Sequence, residues 1–221
     1  MISKRIQELT PFIAMDVLEK AHSMEREGVH IIHLEIGEPD FDTPACIKDA
    51  AIRALNAGHT HYTHSLGLVE LGDKVIVSDP HYACYPNFIR FAGGEPITIP
   101  VYEDDGFQYR PEAIREKLDD TTKAVFINSP SNPTGNILSH ERMQVIAGLA
   151  PYVISDEIYH GLVYEGEEHS ILEYTDRAFV LNGFSKVYAM TGWRLGYLIA
   201  PVPFVRAIQK MHQNFFISAN A

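Results

Sequence analysis

The chain has 221 residues and a mass of 24.8 kDa, with 46% hydrophobic and 21% charged residues. This composition is typical of a globular protein with a sizeable core. Eighteen basic residues against 29 acidic ones give a formal net charge of −11 at pH 7, which argues against nucleic acid or an anionic membrane surface as a partner. The two cysteines are too few for a disulfide framework or a four-cysteine zinc site.

The N-terminal region shows neither a signal peptide nor a membrane-spanning segment. Its first apolar stretch is interrupted by Pro11, Asp16 and Glu19, and no run approaches the roughly 18 apolar residues that a transmembrane helix needs. Together with the low cysteine content, this predicts a cytoplasmic protein.

Two helices are predicted first along the chain. Apolar residues at helical spacing predict one over residues 11–27, ending at Gly28. The second covers about residues 44–57, with Thr43 as its N-cap and Pro44 at its first position.

After residue 72, short β-rich runs alternate with helical patterns. The β-rich runs cover residues 74–78, 96–101, 124–128, 152–155, 178–181 and 197–200, and the helical patterns cover residues 82–91, 111–118 and 139–149. Runs such as 75–77 and 124–127 are continuously apolar, which is typical of strands that are covered on both faces. The pattern predicts an α/β fold: a mostly parallel sheet with helices on both faces.

Three of these runs end in polar, turn-rich sequence, at residues 128–135, 155–157 and 182–186. Parallel sheets bind ligands beyond the carboxyl ends of their strands. We therefore expect an amide, a carboxylate and an amine to converge at one edge of the sheet, from Asn132, Asp156 and Lys186.

Each residue taken alone also has an ordinary structural interpretation. A lone lysine is more often a solvated charge, Asp156 could cap a helix, and Asn132 could shape its turn. In the functional interpretation, Lys186 is a desolvated amine that attacks carbonyls, and Asp156 is an anion that holds a cationic ring nitrogen. Arg194, between Gly192 and Gly196, is either a surface ion-pair donor or a phosphate ligand.

Four motifs in order resemble those of the fold-type I pyridoxal-phosphate enzymes, specifically the class I and II aminotransferases of the aspartate aminotransferase family. They are IGEPDF at residues 36–41, NSPSNPTG at 128–135, SDEIY at 155–159, and FSK at 184–186 followed by TGWRLGY at 191–197. The resemblance extends from the first helix to the last residues.

The resemblance implies pyridoxal 5'-phosphate as the cofactor and assigns roles around its ring. Lys186 would attach covalently to the cofactor and act as the general acid and base. Asp156 would pair with the pyridine nitrogen and keep it protonated, while Tyr159 and Asn132 would hydrogen-bond the 3-oxygen of the ring. Asn132 is also expected at the substrate.

The resemblance also assigns residues to the rest of the site. Arg194, eight residues after Lys186, would bind the phosphate with help from the Ser185 hydroxyl. Tyr82 would stack on the ring, and Tyr62 would reach across a homodimer interface to the neighbouring phosphate. The Gly37 backbone would lie against the substrate carboxylate, an approach that a side chain would block.

No metal site is expected from the histidines at 59, 61 and 64, because they have no accepted ligand spacing.

The chain departs from the family pattern at one internal point. Leu71 runs directly into Gly72, whereas the family has a helix, a strand and a small-residue phosphate loop there. The resemblance thus implies an N-terminal segment, 1–36, that belongs with the small domain. It also implies a cofactor-binding large domain, 37–221, that lacks the phosphate-loop segment between 71 and 72, with the C-terminal small domain absent.

The implied activity is transfer of an amino group from an L-amino acid, such as aspartate or an aromatic one, to a 2-oxo acid such as 2-oxoglutarate, by a ping-pong route. The alternatives are a lyase or synthase of the same fold and a non-catalytic cofactor-binding module or fragment.

Overall fold

The computed structural model describes residues 13–35, 37–39, 41–56 and 72–215. The helices there are α1 (Ile13–Arg26), α2 (Ala45–Asn56), α3 (Tyr85–Ala92), α4 (Pro111–Lys117), α5 (His140–Ile146) and α6 (Val202–Phe215). The strands are β1 (Lys74–Asp79), β2 (Glu95–Pro100), β3 (Thr122–Asn128), β4 (Tyr152–Asp156), β5 (Ala178–Gly183) and β6 (Gly196–Ile199). Short 3₁₀ helices cover Glu103–Asp105, Ile171–Glu173 and Thr191–Trp193.

The six strands form one sheet in the order β2-β1-β3-β4-β5-β6. All neighbouring strands are parallel except β5 and β6, which are antiparallel. The predicted α/β fold with a mostly parallel sheet is therefore confirmed.

Both faces of the central strands are buried, as their continuous apolar sequence predicts. Val75 and Val77 of β1 belong to a core cluster that includes Tyr85 and Ile89 of α3. Ile76, between the two valines, belongs to the opposite cluster, together with residues of α4 and α5. Alternation along a strand thus sends neighbouring side chains into two separate layers of core.

The structure differs from the sequence expectation at α3. The predicted helix began at residue 82, but α3 begins at Tyr85 because Pro86 occupies its first turn, the position that proline favours. Tyr82 therefore lies in the loop between β1 and α3. The helix ends at Gly93, whose φ of 98° is readily adopted by glycine.

Among the described residues, no helix is both long and apolar enough to span a membrane. The expected domain boundary at Ile36 and the expected missing segment after Leu71 lie at positions outside the described residues, and both stay predictions.

Candidate active site

The carboxyl ends of β3, β4 and β5 bring the polar motifs to one edge of the sheet. Asn128 pairs in register with Asp156, and Asp156 pairs with Leu181. The loops that follow these three strands carry Asn132, Tyr159 and Lys186. The predicted convergence of amide, carboxylate and amine at this edge therefore follows from the strand order.

Asp156 is a partly buried carboxylate with two donors. The Tyr85 hydroxyl donates to Oδ2 at 2.7 Å, and the backbone N–H of Ile158 donates to Oδ1 at 3.1 Å. Burial raises the pKa of Asp156, and the two hydrogen bonds oppose that rise because they stabilise the anion.

Tyr85 is a site residue that the sequence analysis did not identify. Its ring stacks on Phe126 with 4.2 Å between centroids, so the hydroxyl is held toward Asp156. Burial raises the pKa of the Tyr85 phenol, and the Asp156 charge adds to that rise. Tyr85 is thus a neutral donor to the carboxylate.

Asn132 and Tyr159 lie in direct contact, with Asn132 Nδ2 donating to the Tyr159 hydroxyl at 3.1 Å. The buried Asn128 side chain fixes this turn. Its Oδ1 accepts from the Asn132 backbone at 2.7 Å, and its Nδ2 donates to the carbonyl of Asp156 at 2.9 Å. Burial raises the pKa of Tyr159, and the Asn132 hydrogen bond opposes the rise.

Lys186 lies between this cluster and the N-terminal part of the chain. Its Nζ donates to the carbonyl of Gly37 at 2.7 Å and lies 5.8 Å from the centroid of the Tyr159 ring. Within the described part of the chain, no atom lies within 4 Å of the position that a Cβ on Gly37 would take.

The segment after Lys186 has two strained residues. Ala189 and Arg194 have φ values of 51° and 54°, a left-handed region that costs a non-glycine residue about 1–2 kcal/mol. Such strain is concentrated at functional sites. Arg194 is exposed, and its guanidinium donates to the carbonyl of Thr191 at 2.8 Å.

A contact over a long sequence distance holds this segment. The Thr43 hydroxyl donates to the carbonyl of Ala189 at 2.6 Å and accepts from Trp193 Nε1 at 3.3 Å. Thr191 Oγ1 donates to the Glu38 carboxylate in the same region. The loop that contains Gly37 is thereby tied to both ends of the strained turn that presents Arg194.

Tyr82 lies near the carboxylate, with its ring edge-on to Tyr85 at 5.4 Å between centroids. Burial raises its pKa, with smaller contributions from the neighbouring Cys84, Tyr159 and Asp156. Tyr62 lies outside the described residues, and Ser185 follows β5 beside Lys186.

The donor set fits pyridoxal phosphate at its ring. A carboxylate of raised pKa suits a protonated ring nitrogen, an amide paired with a phenol suits the ring oxygen, and a primary amine suits the aldehyde. At the phosphate end, the described part of the chain offers Arg194, Ser185 and the backbone of the strained turn.

Comparison with known proteins gives one consistent family. Residues 65–221 match the family model "Aminotransferase class I and II". The chain is 41% identical to the (5-formylfuran-3-yl)methyl phosphate transaminase of Methanocaldococcus jannaschii, covering 99% of this chain and 69% of the relative. It is 35% identical to the aspartate/prephenate aminotransferase of Thermus thermophilus, covering 94% of this chain and 66% of the relative.

The fold agrees with solved structures of the same family. The aspartate aminotransferase from Thermus thermophilus with maleate superposes with a TM-score of 0.94 at 33% identity, over 100% of this chain and 70% of that one. The chain thus spans about two thirds of the length of the relatives it matches. It belongs to the class I and II aminotransferases, which are fold-type I enzymes that use pyridoxal phosphate.

Proposed function

We propose that this chain is an aminotransferase that moves an amino group from an L-amino acid to a 2-oxo acid on pyridoxal phosphate. The observation that carries the proposal is the grouping of Asp156, Tyr159, Asn132 and Lys186 at the carboxyl edge of β3, β4 and β5. Aspartate or an aromatic amino acid as donor, and 2-oxoglutarate as acceptor, are the proposed substrates. The names of the relatives support a substrate of this class.

When bound, the cofactor supplies an electron sink and a carrier for the amino group. Asp156 holds a proton on the ring nitrogen, which strengthens the sink. Tyr85 keeps that carboxylate oriented and ionised through its 2.7 Å hydrogen bond. Tyr159 and Asn132 stabilise negative charge on the ring oxygen, and Tyr82 covers a face of the ring.

Lys186 Nζ is the group that moves protons. With the cofactor bound, this amine would take the proton from the substrate α-carbon and deliver it to the cofactor carbon that accepts the amino group. Its hydrogen bond to the Gly37 carbonyl orients the amine. The Gly37 backbone and the Asn132 side chain are the proposed contacts for the substrate carboxylate.

The phosphate is proposed to bind Arg194 and Ser185, without the family's small-residue loop. In support, the alignment to the Methanocaldococcus jannaschii relative spans 263 positions and this chain has 221 residues. At least 263 − 221 = 42 positions of that alignment therefore have no counterpart here. With Arg194 and Ser185 as its phosphate donors, the chain should still bind pyridoxal phosphate more tightly than pyridoxal, because a charge-assisted hydrogen bond from an arginine to a phosphate is strong.

A homodimer is proposed, with Tyr62 of each subunit reaching the phosphate of the other. Support comes from the matching sequence HYT at residues 61–63. Tyr62→Phe should weaken cofactor binding without changing the thermal midpoint of the cofactor-free protein. A cytoplasmic location is also proposed, in agreement with the free thiols of Cys46 and Cys84.

The activity is tested by incubating the cofactor-loaded protein with L-aspartate or L-phenylalanine and 2-oxoglutarate, and by measuring glutamate and the new oxo acid. Equimolar formation of both supports amino transfer, whereas ammonia release or decarboxylation supports the alternative lyase chemistry. Lys186→Ala should abolish turnover, and Lys117→Ala, on the exposed end of α4, should keep it. Wild-type rates in Lys186→Ala would refute the proposal.

A further inference from the structure

A cluster of potential metal ligands lies outside the cofactor site, where α1 meets the segment that follows it. His22, Glu25 and His33 each offer one ligand atom, and these atoms lie within 4.8 Å of one another. All three side chains are exposed. None of them has a role in the proposed transamination.

The backbone explains why these residues meet. His22 and Glu25 are three residues apart on α1 and share one helix face. The helix ends in a Schellman motif: Val29 N–H donates to Met24, Gly28 N–H donates to Glu25, and Gly28 has a φ of 89°. The chain reverses there, so His33 returns to lie beside the helix.

The spacing of the atoms suits a tetrahedral cation. His33 Nε2 lies 3.0 Å from Glu25 Oε1, and the rings of His22 and His33 are 5.5 Å apart between centroids. Donors bound to one zinc ion at roughly 2.0–2.1 Å are themselves about 3.4 Å apart. Exposed side chains can close the remaining difference by small rotations.

A further carboxylate orients the central histidine. Glu35 Oε1 lies 2.6 Å from His33 Nδ1, the ring nitrogen that faces away from Glu25. A carboxylate on the far nitrogen of a ligating histidine fixes the ring and increases its basicity, an arrangement that is common around zinc. The cluster therefore has three ligands and an orienting group, rather than acidic residues alone.

We propose that His22, Glu25 and His33 bind a divalent first-row transition metal, zinc being the best match, with Glu35 as the residue that positions His33. Two imidazoles and one carboxylate are a ligand set that zinc accepts, and a fourth position stays open to water. Calcium and magnesium are disfavoured because they select oxygen ligands.

Metal binding at this site should depend on pH. His33 makes hydrogen bonds to Glu35 and then to Glu25 that raise the pKa of its imidazole. Because an imidazole must be neutral to bind a metal, zinc affinity should increase with pH. The charged and titratable groups that face His33 are Glu25, Glu35 and His22.

The test is isothermal titration of the cofactor-free protein with zinc chloride at neutral pH. We expect one equivalent to bind, His22→Ala and Glu25→Gln each to weaken binding at least about tenfold, and Glu35→Gln to weaken it about 10–100-fold. His30→Ala is the matched control, since His30 lies in the same segment outside the cluster. Far-ultraviolet circular dichroism verifies that each variant is folded.

Equal zinc affinity in wild type, His22→Ala and Glu25→Gln would overturn the proposal, because the ion would then occupy other histidines. Absence of saturable binding to the wild type would overturn it as well. Equal weakening in His30→Ala would also contradict it, since the effect would not be specific to the cluster.

Discussion

Tyr85→Phe should destabilise the protein more at neutral pH than in acid. The substitution keeps the ring that stacks on Phe126 at 4.2 Å and removes the hydroxyl that donates to Asp156 at 2.7 Å. A hydrogen bond to a charged group contributes about 1.5–3 kcal/mol, against about 1 kcal/mol for a neutral pair. We therefore expect the free energy of unfolding to fall by about 2 kcal/mol at pH 7.

The pH dependence follows from the sign of the pKa shift. Burial raises the pKa of Asp156 in the folded protein, so ionisation of this group opposes folding. Its contribution lowers the free energy of unfolding as the pH rises from the pKa of Asp156 in the unfolded chain to its pKa in the folded protein. Losing the Tyr85 donor raises the folded pKa further. The cost of Tyr85→Phe should thus be largest above the folded pKa and should shrink by about half once Asp156 is protonated.

Urea denaturation followed by circular dichroism between pH 4 and pH 8 measures this dependence. Tyr109→Phe is the matched control, because the buried Tyr109 hydroxyl donates at 3.0 Å to the carbonyl of Phe126, a neutral acceptor. That variant should lose about 1 kcal/mol at every pH. A cost of Tyr85→Phe that is the same across the range would refute the coupling between Tyr85 and the ionised carboxylate.

Two further substitutions test contacts around the site. Thr43→Val removes the hydroxyl that holds Ala189 and Trp193. The loss of about 1 kcal/mol should weaken the binding of pyridoxal phosphate about fivefold and leave the binding of pyridoxal unchanged. Thr43→Ser should retain wild-type affinity, and equal weakening for both ligands would contradict a role at the phosphate and indicate a general packing defect. Glu157→Ala should lower the free energy of unfolding by at least about 3 kcal/mol, since Glu157 is 2% exposed and accepts hydrogen bonds from two serine hydroxyls and a backbone N–H. Glu157→Gln keeps an acceptor oxygen and should lower it less. An unchanged chemical-denaturation midpoint in Glu157→Ala would contradict this role.

The sequence predicts the central strands well because strands that are buried on both faces have continuous apolar runs. Residues 75–77 of β1 and residues 124–127 of β3 are continuously apolar, and the structure buries them on both faces. Helix α6 was not predicted, although apolar residues recur along it at helical spacing. The antiparallel direction of β6 was not predicted either, because a short exposed strand has the same sequence pattern in both directions.

The candidate site was predictable for the residues that lie in short sequence motifs. Asn132, Asp156 and Lys186 each follow a recognisable apolar strand, so their common edge follows from the fold. Tyr85 was missed because its partner Asp156 is 71 residues away in the sequence, and the contact of Thr43 with Ala189 spans 146 residues. No spacing rule connects residues at such separations, so only the packed structure reveals these pairs.

The cofactor site at Lys186 is tested most directly by the visible absorption spectrum of the purified protein with pyridoxal phosphate, before and after reduction with borohydride. We expect a long-wavelength band, its loss on reduction, and one cofactor attached at Lys186 by peptide mass spectrometry. The same experiment on Lys186→Ala should give no attachment, while Lys117→Ala should match the wild type. Attachment at another lysine, or no band with the wild-type chain, would contradict the assignment of this sheet edge as a cofactor site.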